Sequence, residues 1–399
     1  MPPEKASEET LDQSVSRASL RFEGLDLFPH AAVTANYDDN VLISHTNAIS
    51  DVQWTLSPGL TVTAGDIAAY VPGWVSLGQL RNLARYSLID ESTLPQRFLG
   101  LDYTPGFNLF TKNPRLDYID QVEGFSAGYA FSKLALGLDE DFTRMDEKAN
   151  EVGNLVTVSS FDTKLRSRYE LNDESSLEIS GRYDRLDYPN EVYQGYQEVR
   201  NEDWYNRLLG AKLEAGIGAA FGFVYPQASP DQHYEQGLVR GIYQLTGKLD
   251  LRASVGVEVR QYDSGQSATT DPVFSVGADY YLRASTTLSL EAHRQQQPSY
   301  EGEYNYQITG FNIGVRQQLS AGLSATLSGG YDYDEYLRLG SGPSNNRTDD
   351  AFWVRASLDY EFNRHLTATL FYTMRQDDSS LNQYSYTDNM VGVRAMWRY

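Results

Sequence analysis

The side chains able to do chemistry in this sequence are arginines, carboxylates and tyrosines, and their dominant spacing is two residues. Asp250, Arg252, Ser254, Gly256, Glu258 and Arg260 alternate with Leu249, Leu251, Ala253, Val255, Val257 and Val259. One face of that segment is apolar and the other small or charged, the pattern of a strand with one side in an apolar medium. Nucleophilic and metal chemistry finds little support. The histidines His30, His45, His233, His293 and His365 have no metal-ligand spacing, and the sequence contains no cysteine. Disulfide scaffolds, thiolate zinc sites and cysteine nucleophiles are removed together. No G-x-S-x-G, H-E-x-x-H or Walker A motif occurs. Carboxylate pairs abound in a chain with 54 acidic and 33 basic side chains, so they do not single out glycosidase chemistry. The expectation is a protein that is not an enzyme and needs no cofactor or metal.

The elements that must position these residues are strands. The same alternation recurs in Leu323-Ala325-Leu327-Gly329-Tyr331 and in Phe352-Val354-Ala356-Leu358-Tyr360. Connections alternate short and long. Tight ones fall at Ser132-Lys133, Asn172-Asp173, Ala215-Gly216, Thr246-Gly247, Ala284-Ser285, Ser320-Ala321 and Asn363-Arg364. Long polar ones lie near 41–50, 109–121, 146–154, 187–202, 226–233, 263–271, 297–304, 337–350 and 376–387. Tight turns at one end and long loops at the other mark an all-β, up-and-down antiparallel transmembrane barrel of the bacterial outer membrane. The count is about 18 strands, with about 16 as the alternative. Only half of each strand faces lipid, so a mean hydropathy of −0.49 is compatible with a membrane protein.

Aromatics at strand ends fit the girdles of such a barrel: Tyr331 and Tyr333, Phe371 and Tyr372, Tyr280 and Tyr281, Trp397 and Tyr399. Alternating outward residues that finish on Tyr399 resemble the signal read by the outer-membrane insertion machinery. Met1-Pro2-Pro3-Glu4-Lys5 has neither the basic start nor the apolar segment of a signal peptide. The expectation is a mature chain whose leader has been removed. Lipid and lipopolysaccharide are the expected surroundings. A net charge of −21 argues against nucleic acid as a partner.

Two segments break the meander. Residues 1–21 are polar and read as a periplasmic tail ahead of a barrel spanning 22–399. Residues 64–96 stand where a tight turn is expected. That insertion carries Tyr70 and Trp74, then Leu77, Leu80, Leu83 and Ala84 at helical spacing with Arg81 and Arg85 on another face. It reads either as a structural flap or continued strand pair, or as a gate or plug at the periplasmic mouth or a docking element for a periplasmic partner.

With the polar face turned inward, Arg166, Arg168, Arg182, Arg240, Arg252, Arg260, Arg316, Arg355, Arg375 and Arg394 line the lumen. Glu258, Asp279, Tyr262, Tyr281 and Trp353 face the same way, and His293 sits inward beside Glu291. The wall is then either a salt-bridged, neutralised lining or a positive track that passes anions or acidic sugars. Asp38, Asp39, Asp146, Glu147, Asp349, Asp350, Asp377 and Asp378 are placed at the rim, solvated or bridging divalent cations to lipopolysaccharide.

The segment His30-Ala31-Ala32-Val33-Thr34-Ala35-Asn36-Tyr37-Asp38-Asp39-Asn40-Val41 resembles the opening strand of the putative beta-barrel porin 2 family. Leu56-Ser57-Pro58-Gly59-Leu60 and Gly100-Leu101-Asp102-Tyr103 are similar to that family too. The resemblance implies an outer-membrane channel and, through several members, an exit for exopolysaccharide with a periplasmic secretion component as a further partner. It offers no catalytic residues to carry over. A passive small-solute porin, or a closed binding barrel working through its loops or the 64–96 segment, are the alternatives. If that segment gates the pore, deleting residues 65–95 opens a channel that the full chain holds closed in single-channel recordings. Equal, steady conductance from both forms would make the insertion a structural flap.

Overall fold

A computed structural model describes residues 20–22, 24–65, 97–149, 152–189, 193–299, 304–339 and 347–399. Most of the expected 64–96 insertion, including Tyr70, Trp74, Leu77, Leu80, Arg81 and Arg85, lies outside the described residues, as do residues 1–19.

The strands are β1 (Leu20–Phe22), β2 (Leu25–Asp38), β3 (Asp51–Gly65), β4 (Arg97–Tyr103), β5 (Gly106–Phe110), β6 (Tyr118–Ala130) and β7 (Leu134–Ala149). They continue with β8 (Asn154–Asn172), β9 (Ser175–Asp187), β10 (Tyr196–Leu208), β11 (Leu213–Pro226), β12 (Gln232–Thr246) and β13 (Leu249–Tyr262). Next come β14 (Thr269–Arg283), β15 (Thr286–Pro298), β16 (Tyr304–Ser320) and β17 (Leu323–Arg338). The last three are β18 (Thr348–Asn363), β19 (Leu366–Ser379) and β20 (Tyr386–Arg398). No α-helix occurs among the described residues.

Every pairing is antiparallel and, with β4 and β5 counted together, joins chain neighbours except at the closure of the sheet. There β20 runs beside β2, from His30↔Arg398 to Asp38↔Met390. β4 and β5 form one stave between β3 and β6, interrupted at Thr104-Pro105 because proline has no N–H to give to the ladder. β1 is a short appendage of β2. The result is a closed barrel of 18 strands.

Alternation fixes which side chain meets which medium. Val33, Leu56, Leu165, Ile179, Ile217 and Val393 point outward and are 45–64% exposed, an apolar belt that only lipid can cover. Rings bracket the belt. Near the short turns lie Tyr129–Phe131 and Tyr360–Phe362, with centroids 4.6 and 4.8 Å apart, and near the long loops Tyr331–Phe352 at 4.8 Å. Tyr372 belongs to the outer girdle, but its neighbour Phe371 turns inward and is buried, since adjacent strand residues cannot share a face. The turn expected at Ala215-Gly216 falls instead at residues 209–212, where Gly210 adopts φ +140°.

The glycines explain how bulky residues fit inside. Tyr234 lies directly opposite Gly222, Trp204 opposite Gly218, Trp353 opposite Gly330, and Phe371 opposite Gly392. In each pair a Cβ on the glycine would collide with the ring. The rings therefore lie flat against the neighbouring strand instead of projecting across the lumen. Gly222→Val should cost about 1–3 kcal/mol in urea unfolding from detergent, through displacement of Tyr234. Gly237, with open space where its Cβ would be, should accept alanine with a gain of about 0.5 kcal/mol.

Candidate functional site

The lumen wall divides into two sectors of different electrostatics. From β7 to β14 the arginines are compensated. Arg166 meets Asp139 at 2.5 Å, and Arg168 meets Glu178 at 3.0 Å. Glu178 also binds Arg240, while Arg182 bridges Asp162 and Asp184. Arg252 reaches Asp279 at 2.7 Å, and Arg260 holds Glu258 at 2.8 Å with both side chains 3% exposed. Arg200, which the alternation alone did not single out, joins this network through Glu202 at 2.5 Å and Gln236 at 3.0 Å.

Several of these guanidiniums also cap rings. Arg240 sits 4.4 Å from the Trp204 ring and Arg260 4.6 Å from Tyr234. The sequence of layers is strand glycine, aromatic ring, guanidinium, carboxylate. Each layer removes the reason for the next to move, because stacking and ion pairing orient the same planar group.

β18 to β20 differ. Arg355, Arg375 and Arg394 occupy the inward positions of three adjacent strands, and none has an ion pair or hydrogen bond among the described residues. Arg355 lies 5.5 Å from the Phe371 ring. The Nε of Arg394 is buried without a partner. Arg316, near the turn end of β16, is exposed and likewise without an ion pair among the described residues. Tyr281 also faces inward near the turns and is 41% exposed, whereas Tyr262, near the loops, is 6% exposed and accepts from Gln296 Nε2 at 3.1 Å.

The mouth on the long-loop side, which faces the cell exterior in such barrels, is narrowed by contacts between distant strands. Pairing of β6 with β7 ends at Gln121↔Arg144, and the rest of β7 leans over the opening. Its Lys148 Nζ donates to Asp38 Oδ2 at 2.7 Å, Asp388 Oδ2 at 2.8 Å and the Asn40 carbonyl at 3.2 Å. Gln232 and Asn305, on β12 and β16, exchange two hydrogen bonds of 3.0 and 2.8 Å. The loop after β2 also turns in. Val41 and Ile43 are 2% and 1% exposed, and Ile43 has φ +46°, a strained conformation for a β-branched residue.

These contacts revise the expected rim. Asp38, Asp349 and Asp377 are buried, not solvated, because β2, β18 and β19 continue inside the mouth before their loops begin. Asp349 is held by Arg347, itself stacked against Tyr336 and Tyr384 at 4.3 and 3.5 Å. Asp38, Asp39 and Asp388 bring one carboxylate oxygen each within 4.8 Å of one another, a geometry able to hold a cation. Lys148 already supplies the positive charge there.

His293 forms a pair with Asp332, Nε2 to Oδ1 at 3.2 Å, reaching across β16 at Gly310, where a Cβ would strike the carboxylate. With His293 only 2% exposed, the pair stitches strands together.

Lys148→Met leaves two buried carboxylates without a cation. It should cost about 3–5 kcal/mol of unfolding free energy and raise single-channel conductance as the mouth loosens. Restoring stability by adding Asp38→Asn and Asp388→Asn would confirm that the charge tie is responsible; unchanged conductance in all forms would exclude it.

The closed barrel, the lipid-facing belt and the paired girdles are those of a transmembrane β-barrel of the bacterial outer membrane. Solved structures of similar architecture include OpdK from Pseudomonas aeruginosa with vanillate, at 11% identity over 94% of this chain and 99% of that one, TM-score 0.46. P. aeruginosa OccK2 (OpdF) in complex with glucuronate matches at 12% identity over 94% and 99%, TM-score 0.49. Acinetobacter baumannii OccAB4 matches at 11% identity over 94% and 98%, TM-score 0.46. At these identities the likeness is one of barrel architecture alone. No curated protein matches the chain. The motifs at residues 30–41, 56–60 and 100–103 lie outside the one segment that a family model matches. That segment, residues 244–399, runs from the end of β12 to the C-terminal strand and matches the putative beta-barrel porin 2 family.

Proposed function

We propose that this barrel is an outer-membrane path for a glycan, serving as the exit of an exopolysaccharide. The observation that supports the reading most is the lumen wall itself. Its charges are compensated in place over β7–β14, and its rings lie flat over facing glycines. Such a wall offers hydroxyl, amide and ring surfaces without deep single-charge traps. Sugar hydroxyls can exchange hydrogen bonds along it, and the C–H faces of the rings can rest on Trp353 and Tyr281. A polymer needs this kind of surface because release at each step must be as easy as binding.

A passive porin for small solutes is the second reading, favoured by the contacts that cross the mouth at Lys148 and at Gln232–Asn305. The two differ in what leaves a loaded vesicle. Proteoliposomes filled with neutral dextran oligomers should release chains of many sugar units through an exit pore. Release that stops at di- and trisaccharides would give the small-solute porin. Trp353→Ala should slow oligomer release about fivefold, the equivalent of about 1 kcal/mol of ring contact, while potassium chloride conductance stays unchanged.

A further inference from the structure

We infer that Arg355, Arg375 and Arg394 form a binding ladder for carboxylated sugars on the β18–β20 wall, so that the transported glycan is acidic. This rests on the glycan-channel reading and names its substrate class.

The ladder climbs the wall. Arg394 stands opposite Thr369, Arg355 opposite Thr373, and Arg375 two residues further along β19 toward the long loops. The six residue steps from Thr369 to Arg375 span about 20 Å of strand. Arg375 and Arg394 both repel Arg355, and the one carboxylate that attracts Arg355 and Arg394, Asp359, forms an ion pair with neither. Three cations facing one another in a partly dehydrated wall are unfavourable unless an anion visits them.

The two nearest carboxylates are held by other partners. Asp388 lies directly opposite Arg375 but is drawn to Lys148 at 2.8 Å. Asp359, directly opposite Thr369 and so in the register row of Arg394, accepts from Thr369 at 2.6 Å and from Ser357 at 3.4 Å and closes no ion pair with the guanidinium. The wall thus keeps three guanidiniums unpaired where every inward arginine of β8, β9, β10, β12 and β13 is paired.

The surroundings fit a sugar acid better than a bare ion. Trp353 stands next to Arg355 in the register and opposite Arg375, and Phe371 lies beneath Arg355. The Thr373 hydroxyl between them is buried without a partner. A planar fork for the carboxylate, a ring face for the C–H side of a pyranose and a hydroxyl for its oxygens lie on one patch.

The test compares the full chain with a variant carrying Arg355→Gln, Arg375→Gln and Arg394→Gln in planar bilayers. Wild type should be anion-selective in a potassium chloride gradient, and trigalacturonate should block it while maltotriose does not. The triple variant should lose the anion preference and bind trigalacturonate at least tenfold more weakly. Arg252→Gln, at a compensated arginine, should leave the block intact. Should the triple variant fail to fold, the three lysine replacements preserve the charge, and each single glutamine variant carries part of the loss. If wild type passes no current, calorimetric titration of trigalacturonate into the detergent-folded barrel provides the same comparison. Cation selectivity in wild type, or equal block in wild type and triple variant, would overturn the ladder. Failure of neutral dextran release with trigalacturonate block retained would overturn the polymer exit and leave the ladder standing.

Discussion

The constraint on which everything else depends is that lipid offers no hydrogen bonds. Each backbone N–H and C=O in the membrane must be satisfied within the chain, and a sheet does so only by closing on itself. The ladder between β2 and β20 is that closure, and it joins residues more than 350 positions apart. Once it forms, alternation becomes strict, because a slip of one residue would put arginines in lipid and leucines in the lumen. The apolar belt, the two ring girdles and the charged interior are three consequences of one closed ladder.

Inside, the difficulty is the reverse. A polar lumen must accept large rings and guanidiniums without their filling the passage. The facing glycines resolve it by giving each ring a recess in the neighbouring strand, and the guanidiniums of Arg240, Arg260 and Arg355 then lie over the rings. Stacking and ion pairing orient the same guanidiniums of Arg240 and Arg260, whereas Arg355 has the ring alone. The carboxylates decide only whether the charge is neutralised, as over β7–β14, or left available, as over β18–β20.

The outer mouth links the two sectors. Lys148 draws Asp388 away from its register partner Arg375, so the tie that narrows the opening also leaves a guanidinium uncompensated further in. One half-buried ammonium thereby touches both the width of the passage and its charge. The strained Ile43 and the buried Val41 show the loop after β2 held in the same constriction.

The sequence by itself determined the class of fold and the facing of its residues. The two-residue period at Leu249–Arg260 and the strict short–long rhythm of connections are local properties, readable without neighbours. They suffice to place Arg166, Arg252, Arg355 and Tyr281 on the inward face, and they point to about 18 strands. What the tertiary structure alone decided is which charges meet. Whether Arg252 finds Asp279 while Arg375 misses Asp388 depends on register and on a lysine 240 positions away in the chain. Burial of Asp38, Asp349 and Asp377 was likewise illegible, because an acidic residue near a loop looks the same whether its strand ends at the rim or continues inside it. Coulomb interactions fall off over a few ångströms inside a protein, and sequence spacing sets such distances only along one strand, never across a barrel.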